Sequence, residues 1–140
     1  MKQFFLALLL LPYLSFSQTF FVEKTDSRTA RVPVKVEVEN TINYIITQKL
    51  IDLGKKVTAV QSESDYIVTP ILTRKSGYGK AAKGYISFKS TISQKEVLRS
   101  KQDKGMRNMF QGMKNPFVLC FDRIITKQFP SLLPRLENAQ

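Results

Sequence analysis

The sequence predicts a single α+β domain, a mixed sheet of about five strands with two main helices packed on one face. Three observations support this prediction. Several short segments alternate apolar and polar residues, which is the pattern of a half-buried strand. Two longer segments repeat apolar residues at helical spacing. The chain of 140 residues suits one domain, and its segments run in the order strand, helix, four strands, helix.

The first segment of the chain has the pattern of a secretory leader. Lys2 precedes an apolar run over residues 4–11, and the small residues Ser15 and Ser17 stand before a cut at Gln18. The run is far shorter than the roughly 20 apolar residues that a membrane-spanning helix needs. We therefore expect a signal peptide over 1–17 and a mature domain over 18–140. No cysteine lies near the cut, so the expected product is an exported periplasmic or secreted protein and not a lipoprotein.

The mature chain opens with a predicted strand and a predicted helix. Residues 19–25 are rich in aromatic and β-branched side chains, which favour strands. A helix over 40–53, beginning several residues earlier, is predicted by one apolar stripe, formed by Val38, Ile42, Ile45, Ile46, Leu50 and Leu53. Gly54 then stands where a helix commonly ends in a left-handed residue. A short strand over 56–61 is expected to follow.

The stretch from 64 to 104 is expected to hold three more strands, over 66–73, 85–93 and 97–101. A glycine- and lysine-rich loop over 74–84 and a tight turn over 94–96 would join them. In the middle strand, Ile86, Phe88 and Ile92 should point to one buried side. Pro70 cannot donate a hydrogen bond to a neighbouring strand, so it predicts either an edge strand or a bulge.

The last helix has the clearest signals. Asn115 can cap it, Pro116 suits its first position, and an apolar face follows, formed by Phe117, Phe121, Ile124, Ile125 and Phe129. Pro130 is expected to end this helix, and residues 134–140 are expected to fray.

A methionine-rich segment precedes that helix. Met106, Met109, Phe110 and Met113 recur at helical spacing and predict a short helix over 105–114 that covers one sheet edge. The same apolar strip would alternatively suit a membrane surface or a partner helix.

The residues argue against an enzyme. The chain contains no histidine, which excludes Ser-His-Asp and Cys-His catalysis and most zinc sites. Its single cysteine, Cys120, lies in an apolar helical pattern and is predicted to be a buried small side chain. The carboxylates show no recognisable catalytic spacing, and Gly77, Gly79 and Gly84 do not form a phosphate-binding loop. We therefore expect no catalysis, no cofactor and no metal.

Positive charge is concentrated in the second half of the chain. Residues 18–73 carry seven cations and seven anions, whereas residues 74–140 carry fourteen cations and four anions. Such asymmetry favours an anionic partner or surface, although a merely solubilising face is the alternative. The candidate binding residues all lie between the third predicted strand and the final helix: Arg74, Lys75, Lys80, Lys83, Lys89, Arg99, Lys101, Lys104 and Arg107.

The sequence also predicts a hairpin register for Lys89, Arg99 and Lys101. A three-residue turn after Ser93 would place Ile92 opposite Leu98, and on the outer face Lys89 opposite Lys101, with Arg99 opposite Thr91. Like charges directly opposed cost about 0.2–1 kcal/mol, which an anion bound between them would offset. A two-residue turn would instead put Arg99 and Lys101 on the side of Ile92.

Three segments resemble an envelope superfamily: KLIDLGKKVTAV, SDYIVTPILT with Asp65 and Tyr66 at its start, and YISFKSTISQKEVLRSK. This superfamily includes the amino-terminal domain of the Tol-Pal β-propeller protein, the curli-secretion lipoprotein and the lipoprotein activators of penicillin-binding proteins. The similarity covers about residues 20–133. It implies a small α+β sandwich that binds other envelope components without catalysis. The family's lipid-bearing cysteine is absent here, and Ser93 and Lys95 replace the usual Asp and Gly of the turn.

Two functions follow from these observations. The first is a non-catalytic periplasmic or cell-envelope accessory protein that binds an envelope protein or an anionic envelope surface. The second is a secreted cationic protein whose basic hairpin binds an anionic polymer or lipid headgroup directly. Export argues against a nucleic-acid partner, and peripheral membrane contact is compatible with either function.

Overall fold

A computed structural model describes residues 18–75, 81–106 and 115–138 of the chain. It contains six strands and two α-helices, with a short 3-10 helix at Gln61–Glu63. In chain order these elements are β1 (Thr19–Val22), α1 (Val36–Asp52), β2 (Lys56–Val57), β3 (Tyr66–Lys75), β4 (Ala81–Ser90), β5 (Glu96–Arg99), β6 (Asp103–Met106) and α2 (Pro116–Asn138).

The six strands form one mixed sheet in the order β2-β1-β3-β4-β5, and β6 also pairs with β4. Strand β1 runs parallel to both β2 and β3, whereas the remaining pairs are antiparallel. Strands β5 and β6 share one edge of β4, because β5 pairs with residues 87–89 and β6 pairs with residues 81–84. The α+β class and the mixed sheet predicted from the sequence are confirmed.

Both helices contribute to one hydrophobic core beneath the sheet. Every second residue of the central strands points into it, as alternation requires. Its fully buried members include Phe20, Ile46, Phe88, Phe121 and Phe129. No described helix covers the opposite side of the sheet, which we call the outer face.

Helix α1 begins at Val36, four residues before the predicted range of 40–53, and ends at Asp52. The predicted role of Gly54 just beyond the helix end is confirmed. Gly54 has φ +79°, and its N–H donates to the carbonyl of Ile51 at 2.9 Å. A residue with a side chain rarely adopts this left-handed conformation, so glycine suits the position.

Helix α2 is longer than the sequence predicted. Asn115 caps it as expected, with its Oδ1 accepting from the Phe117 N–H at 2.8 Å. The expected stop at Pro130 and the expected fraying from 134 are wrong, because the helix continues through Pro130 and Pro134 to Asn138. Its last turns bury three leucines, at positions 132, 133 and 136, and that burial outweighs the backbone hydrogen bonds that the prolines remove.

Several strand boundaries also differ from expectation. The predicted loop over 74–84 is partly strand, because β3 runs to Lys75 and β4 starts at Ala81. The first strand ends at Val22, three residues early, and only Lys56–Val57 of the predicted strand over 56–61 is extended. Residues 103–106 form a strand at the start of the predicted Met-rich helix, and residues 107–114 lie outside the described residues.

Pro70 lies in an internal strand, not in an edge strand. It pairs with Ile86 on the β4 side. On the other side, β1 ends at Val22, and pairing with the chain after β1 resumes when Asp26 N–H donates to the Pro70 carbonyl at 2.8 Å. The missing N–H of Pro70 therefore faces an irregular part of its neighbour, which makes the proline tolerable there.

Among the described residues, no helix has both the length and the apolar character required to cross a bilayer.

Candidate functional site

The predicted register of the β4–β5 hairpin is wrong. Phe88 pairs with Leu98, Ser87 with Arg99, and Lys89 with Glu96 after an irregularity in the ladder. Lys89 is therefore opposite a carboxylate and not opposite Lys101, and Arg99 does not face Thr91. Ile92 does not join the core, since it is 97% exposed.

The observed register differs from the predicted one because the chain turns earlier than expected. Gln94 adopts φ 58°, and its N–H donates to the Ser90 carbonyl at 2.8 Å. The Ser90 N–H donates in turn to the carbonyl of Lys95 at 3.0 Å. These bonds close the turn over 91–94 and end β4 at Ser90, three residues before the predicted end. A left-handed residue other than glycine allows this reversal, and the sequence pattern gave no sign of it.

Arg99 of this hairpin is engaged by an acidic residue. Glu96 accepts from the Ser87 hydroxyl at 2.6 Å and from Arg99 Nε at 2.5 Å. The Arg99 guanidinium also lies 4.7 Å from the centre of the Tyr85 ring, within range of a cation–π interaction. Burial opposes ionisation of Glu96, but the hydrogen bonds from Arg99 and Ser87 hold its pKa below the ordinary value. Arg99 is therefore part of a paired structural cluster, and Lys89 lies beside the same carboxylate.

A different group of cations lies side by side at the other end of β4. Arg74 of β3 is directly opposite Lys83 of β4, and Lys83 is directly opposite Lys104 of β6. Three neighbouring strands thus place one cation each in a single row across the sheet. We call these three residues the basic row.

The basic row lies on the outer face because small residues beside it face the helices. Ala82 and Gly84 flank Lys83 and are buried. A Cβ on Gly105 would lie 2.3 Å from both the Cys120 N and the Pro116 O, so Gly105 faces the start of α2. Alternation then directs Lys83 and Lys104 to the opposite side. Arg74 and Lys104 are exposed, and Lys83 is half-buried.

The basic row has no acidic partner among the residues that the structure describes. The four ion pairs there are Arg28–Asp26, Lys55–Glu137, Arg99–Glu96 and Arg123–Asp103. Around the row, the Thr73 hydroxyl donates to the Lys83 carbonyl at 3.3 Å and accepts from the Gln102 side chain. The Asp103 carboxylate, which pairs with Arg123, accepts only from the backbone N–H of Lys104, at 2.7 Å. Directly opposed residues have Cβ atoms about 4.5–5.5 Å apart, so the three charges repel one another.

The other candidate residues that the structure describes do not join the row. Lys75 lies on the helix side of the sheet, with its Nζ 5.6 Å from the centre of the Phe117 ring. Lys101 is exposed, and its backbone is held by Gln128, which accepts from its N–H at 2.8 Å. Lys80 and Arg107 lie outside the described residues. Of the seven predicted cations that the structure describes, it therefore brings together three.

No described part of the chain forms a group of three or more His, Cys, Asp or Glu residues able to hold a metal ion. The Cys120 thiol is buried and donates to the Asp103 carbonyl at 3.4 Å. Burial, assisted by the nearby Asp103 carboxylate, raises its pKa to about 12. Such a thiol is not a nucleophile at neutral pH.

Comparison with known proteins yields relatives by structure only. No protein-family model matches the chain, and no curated protein does. A DUF330 protein from Xanthomonas campestris has a similar structure, with a TM-score of 0.56 and 13% identity over 89% of both chains.

Two further solved structures are similar. The PelC dodecamer from Paraburkholderia phytofirmans matches with a TM-score of 0.51 and 10% identity, over 79% of this chain and 87% of PelC. Lipoprotein GNA1162 from Neisseria meningitidis matches with a TM-score of 0.51 and 9% identity, over 81% of this chain and 97% of the lipoprotein. At such identities the similarity shows a common fold, and the superfamily inferred from the sequence stays a prediction. This chain shares its α+β fold with a PelC subunit, a meningococcal lipoprotein and a DUF330 protein.

Proposed function

We propose that this chain is an exported, non-catalytic binding domain of the cell envelope that attaches to an anionic envelope component through the basic row. The proposal rests on the strand pairing of the row: Lys83 lies directly opposite both Arg74 and Lys104. None of the three residues has an acidic partner in an ion pair among the described residues. Each opposed pair of like charges costs about 0.2–1 kcal/mol in a sheet. An anion placed against the row would turn this cost into attraction for all three residues.

The shape of the surface favours an extended ligand. The row crosses three neighbouring strands, and its two outer members, Arg74 and Lys104, are exposed. A small metabolite needs a concave site that buries most of its surface. A line of cations across three strands suits a ligand with many anionic groups, such as a headgroup layer, an acidic polymer or an acidic protein surface.

An envelope location rests on two observations. The leader over 1–17 has the pattern of a secretory signal. One protein of the same fold is a lipoprotein, and PelC assembles as a dodecamer, so the fold is compatible with an accessory role at the envelope.

A second candidate function is direct binding of anionic lipid headgroups or an anionic polymer, which the side-by-side placement of three cations favours. Each Lys or Arg near an anionic membrane contributes about 1 kcal/mol, and salt screens this attraction. An acidic protein partner would add apolar and hydrogen-bonded contacts, so its binding should depend less on salt.

Co-sedimentation with lipid vesicles tests both candidates. One set of vesicles contains phosphatidylglycerol and the other only phosphatidylcholine. We expect Lys83→Glu/Lys104→Glu to bind the anionic vesicles about 30-fold more weakly than the unaltered protein, since two attractive charges become repulsive. The matched control, Lys56→Glu/Lys127→Glu, makes the same change in net charge at exposed positions away from the row.

The outcomes separate the candidates. Salt-sensitive vesicle binding that depends on the row supports direct attachment to headgroups. Capture of an envelope protein from extract, lost in Lys83→Glu/Lys104→Glu only, supports a protein partner. Equal effects of both double variants, or no row-dependent binding in either assay, would refute the proposal.

A further inference from the structure

A groove of about 460 Å³ separates the amino-terminal halves of the two helices. It lies in the helix layer, on the side of the sheet opposite the basic row. Val38 and Ile45 of α1 line one wall, and Val118 and Leu119 of α2 line the other. The carboxylates of Glu37 and Asp122 stand at its margins.

The groove offers apolar contact in its interior. Val38, Ile45 and Val118 are half-buried and pack against the hydrophobic core, so their remaining exposed surface forms an extension of that core. Two neutral polar groups of the lining are already engaged. Thr41 Oγ1 donates to the Glu37 carbonyl at 2.8 Å, and Asn115 Oδ1 accepts from the Phe117 N–H at 2.8 Å. A ligand would therefore gain mainly by burying apolar side chains there.

The two carboxylates at the margins are available. The chain has 22 Lys and Arg residues against 11 Asp and Glu residues, yet no described cation lines the groove. In the described residues, Asp26, Glu96, Asp103 and Glu137 form ion pairs. Glu37 and Asp122 are among the carboxylates that form no ion pair with a described cation, and both are exposed.

We propose that this groove docks an amphipathic helix of a partner protein, one that carries Lys or Arg on both sides of an apolar stripe. Apolar side chains at helical spacing would occupy the space between α1 and α2, as in other helix-in-groove complexes. Its flanking cations would pair with Glu37 and Asp122. Charge complementarity selects this occupant, because two carboxylates and no described cation line the groove, although the chain as a whole is strongly cationic.

This inference is independent of the basic row. The row recognises anions on the outer face of the sheet, whereas the groove recognises a cationic, apolar segment in the helix layer. A domain with both sites would link a basic helix of one component to an anionic surface.

Fluorescence anisotropy with a defined probe tests the proposal. The probe is a fluorescein-labelled synthetic peptide of Leu and Lys in helical periodicity, and a Leu/Gln peptide of the same pattern is the comparison. We expect the protein to bind the Leu/Lys peptide about tenfold more tightly than the Leu/Gln peptide, since only the former can pair with the two carboxylates.

A matched pair of variants locates the binding. Glu37→Lys/Asp122→Lys reverses both margins of the groove and should weaken Leu/Lys binding by about tenfold or more. Glu39→Lys/Asp52→Lys makes the same change in net charge on α1, removes a carboxylate from the same first turn, and leaves the groove lining unchanged. It should change the affinity by less than about threefold. Circular dichroism spectra of both variants would serve as the control that each is folded.

Three results would overturn the inference. The first is an unaltered protein that fails to bind the Leu/Lys peptide. The second is an equal loss of affinity in both double variants, which would indicate general electrostatics. The third is self-association in sedimentation experiments that Glu37→Lys/Asp122→Lys abolishes, which would show that the groove holds a second copy of this chain.

Discussion

Gly105→Ala is expected to separate β6 from the start of helix α2 and to destabilise the protein. A Cβ at this position would lie 2.3 Å from the Cys120 N, 2.3 Å from the Pro116 O and 2.9 Å from the Cys120 Cα. All three are backbone atoms, so no side chain can rotate away to make room. Either the strand or the first turn of the helix must move.

The size of the effect follows from these contacts. Inserting one carbon into a well-packed site costs about 1–3 kcal/mol, and contacts with backbone atoms place Gly105→Ala at about 3 kcal/mol, the upper end of that range. A loss of this size is a large part of the 5–15 kcal/mol that stabilises a typical domain. We expect the midpoint of thermal unfolding to fall by about 10 °C.

Urea denaturation followed by circular dichroism measures this loss, and Gly54→Ala is the control. Gly54 has φ +79° and no atom within 4 Å of an added Cβ, so alanine there adds only backbone strain, about 1 kcal/mol. If Gly105→Ala costs no more than Gly54→Ala, the close packing of β6 on α2 is wrong. The same packing directs Lys104 to the outer face, so Gly105→Ala should also weaken binding through the basic row.

Three further predictions concern the thiol, the hairpin and the last helix. Cys120 should resist Ellman's reagent at pH 8 in the folded protein and react fully in denaturant, because burial raises its pKa to about 12. Arg99→Ala should raise the pKa of Glu96 toward its ordinary value, as NMR titration would show. Because the folded-state pKa of Glu96 is lowered, the stability that Arg99 contributes is present above pH 4.5 and is lost as the pH falls through that folded pKa. Pro130→Ala should stabilise the protein by about 1 kcal/mol in urea denaturation, since α2 continues past Pro130 and the Thr126 carbonyl would regain a helical donor.

Each of these predictions has a contrary result. Rapid labelling of Cys120 under native conditions would show that the thiol is accessible. A stability difference between Arg99→Ala and the unaltered protein that persists in acid would assign the role of Arg99 to its contact with Tyr85. A destabilised Pro130→Ala would mean that the proline stabilises the helix where it stands.

The helices and central strands could be predicted from local patterns because those patterns report burial. The stripe through Ile42, Ile46 and Leu50 is fully buried, and so is the pair Ile86 and Phe88 on β4. Apolar periodicity is a direct consequence of which side of an element faces the core. Helix α2 extends past its predicted end because Leu133 and Leu136 pack into the common hydrophobic core. Such contacts with other elements are not visible in the local pattern of the helix.

Strand register could not be predicted in the same way. The position of the turn after β4 depends on one left-handed residue, Gln94, and moving that turn changed every partner across the hairpin. The short strand β6 was missed because its four residues, DKGM, have no strong strand pattern and pair only because Gly105 fits against α2. A site formed by partners on neighbouring strands depends on these pairings.

The sequence by itself determined the class of fold, the absence of histidine chemistry and the excess of positive charge in residues 74–140. These are properties of composition and local periodicity, which need no knowledge of contacts. Only the tertiary structure decided which cations are neutralised and which stand together. Arg99 meets Glu96, whereas Arg74, Lys83 and Lys104 meet one another, because backbone hydrogen bonds between strands set the register and side-chain charge does not.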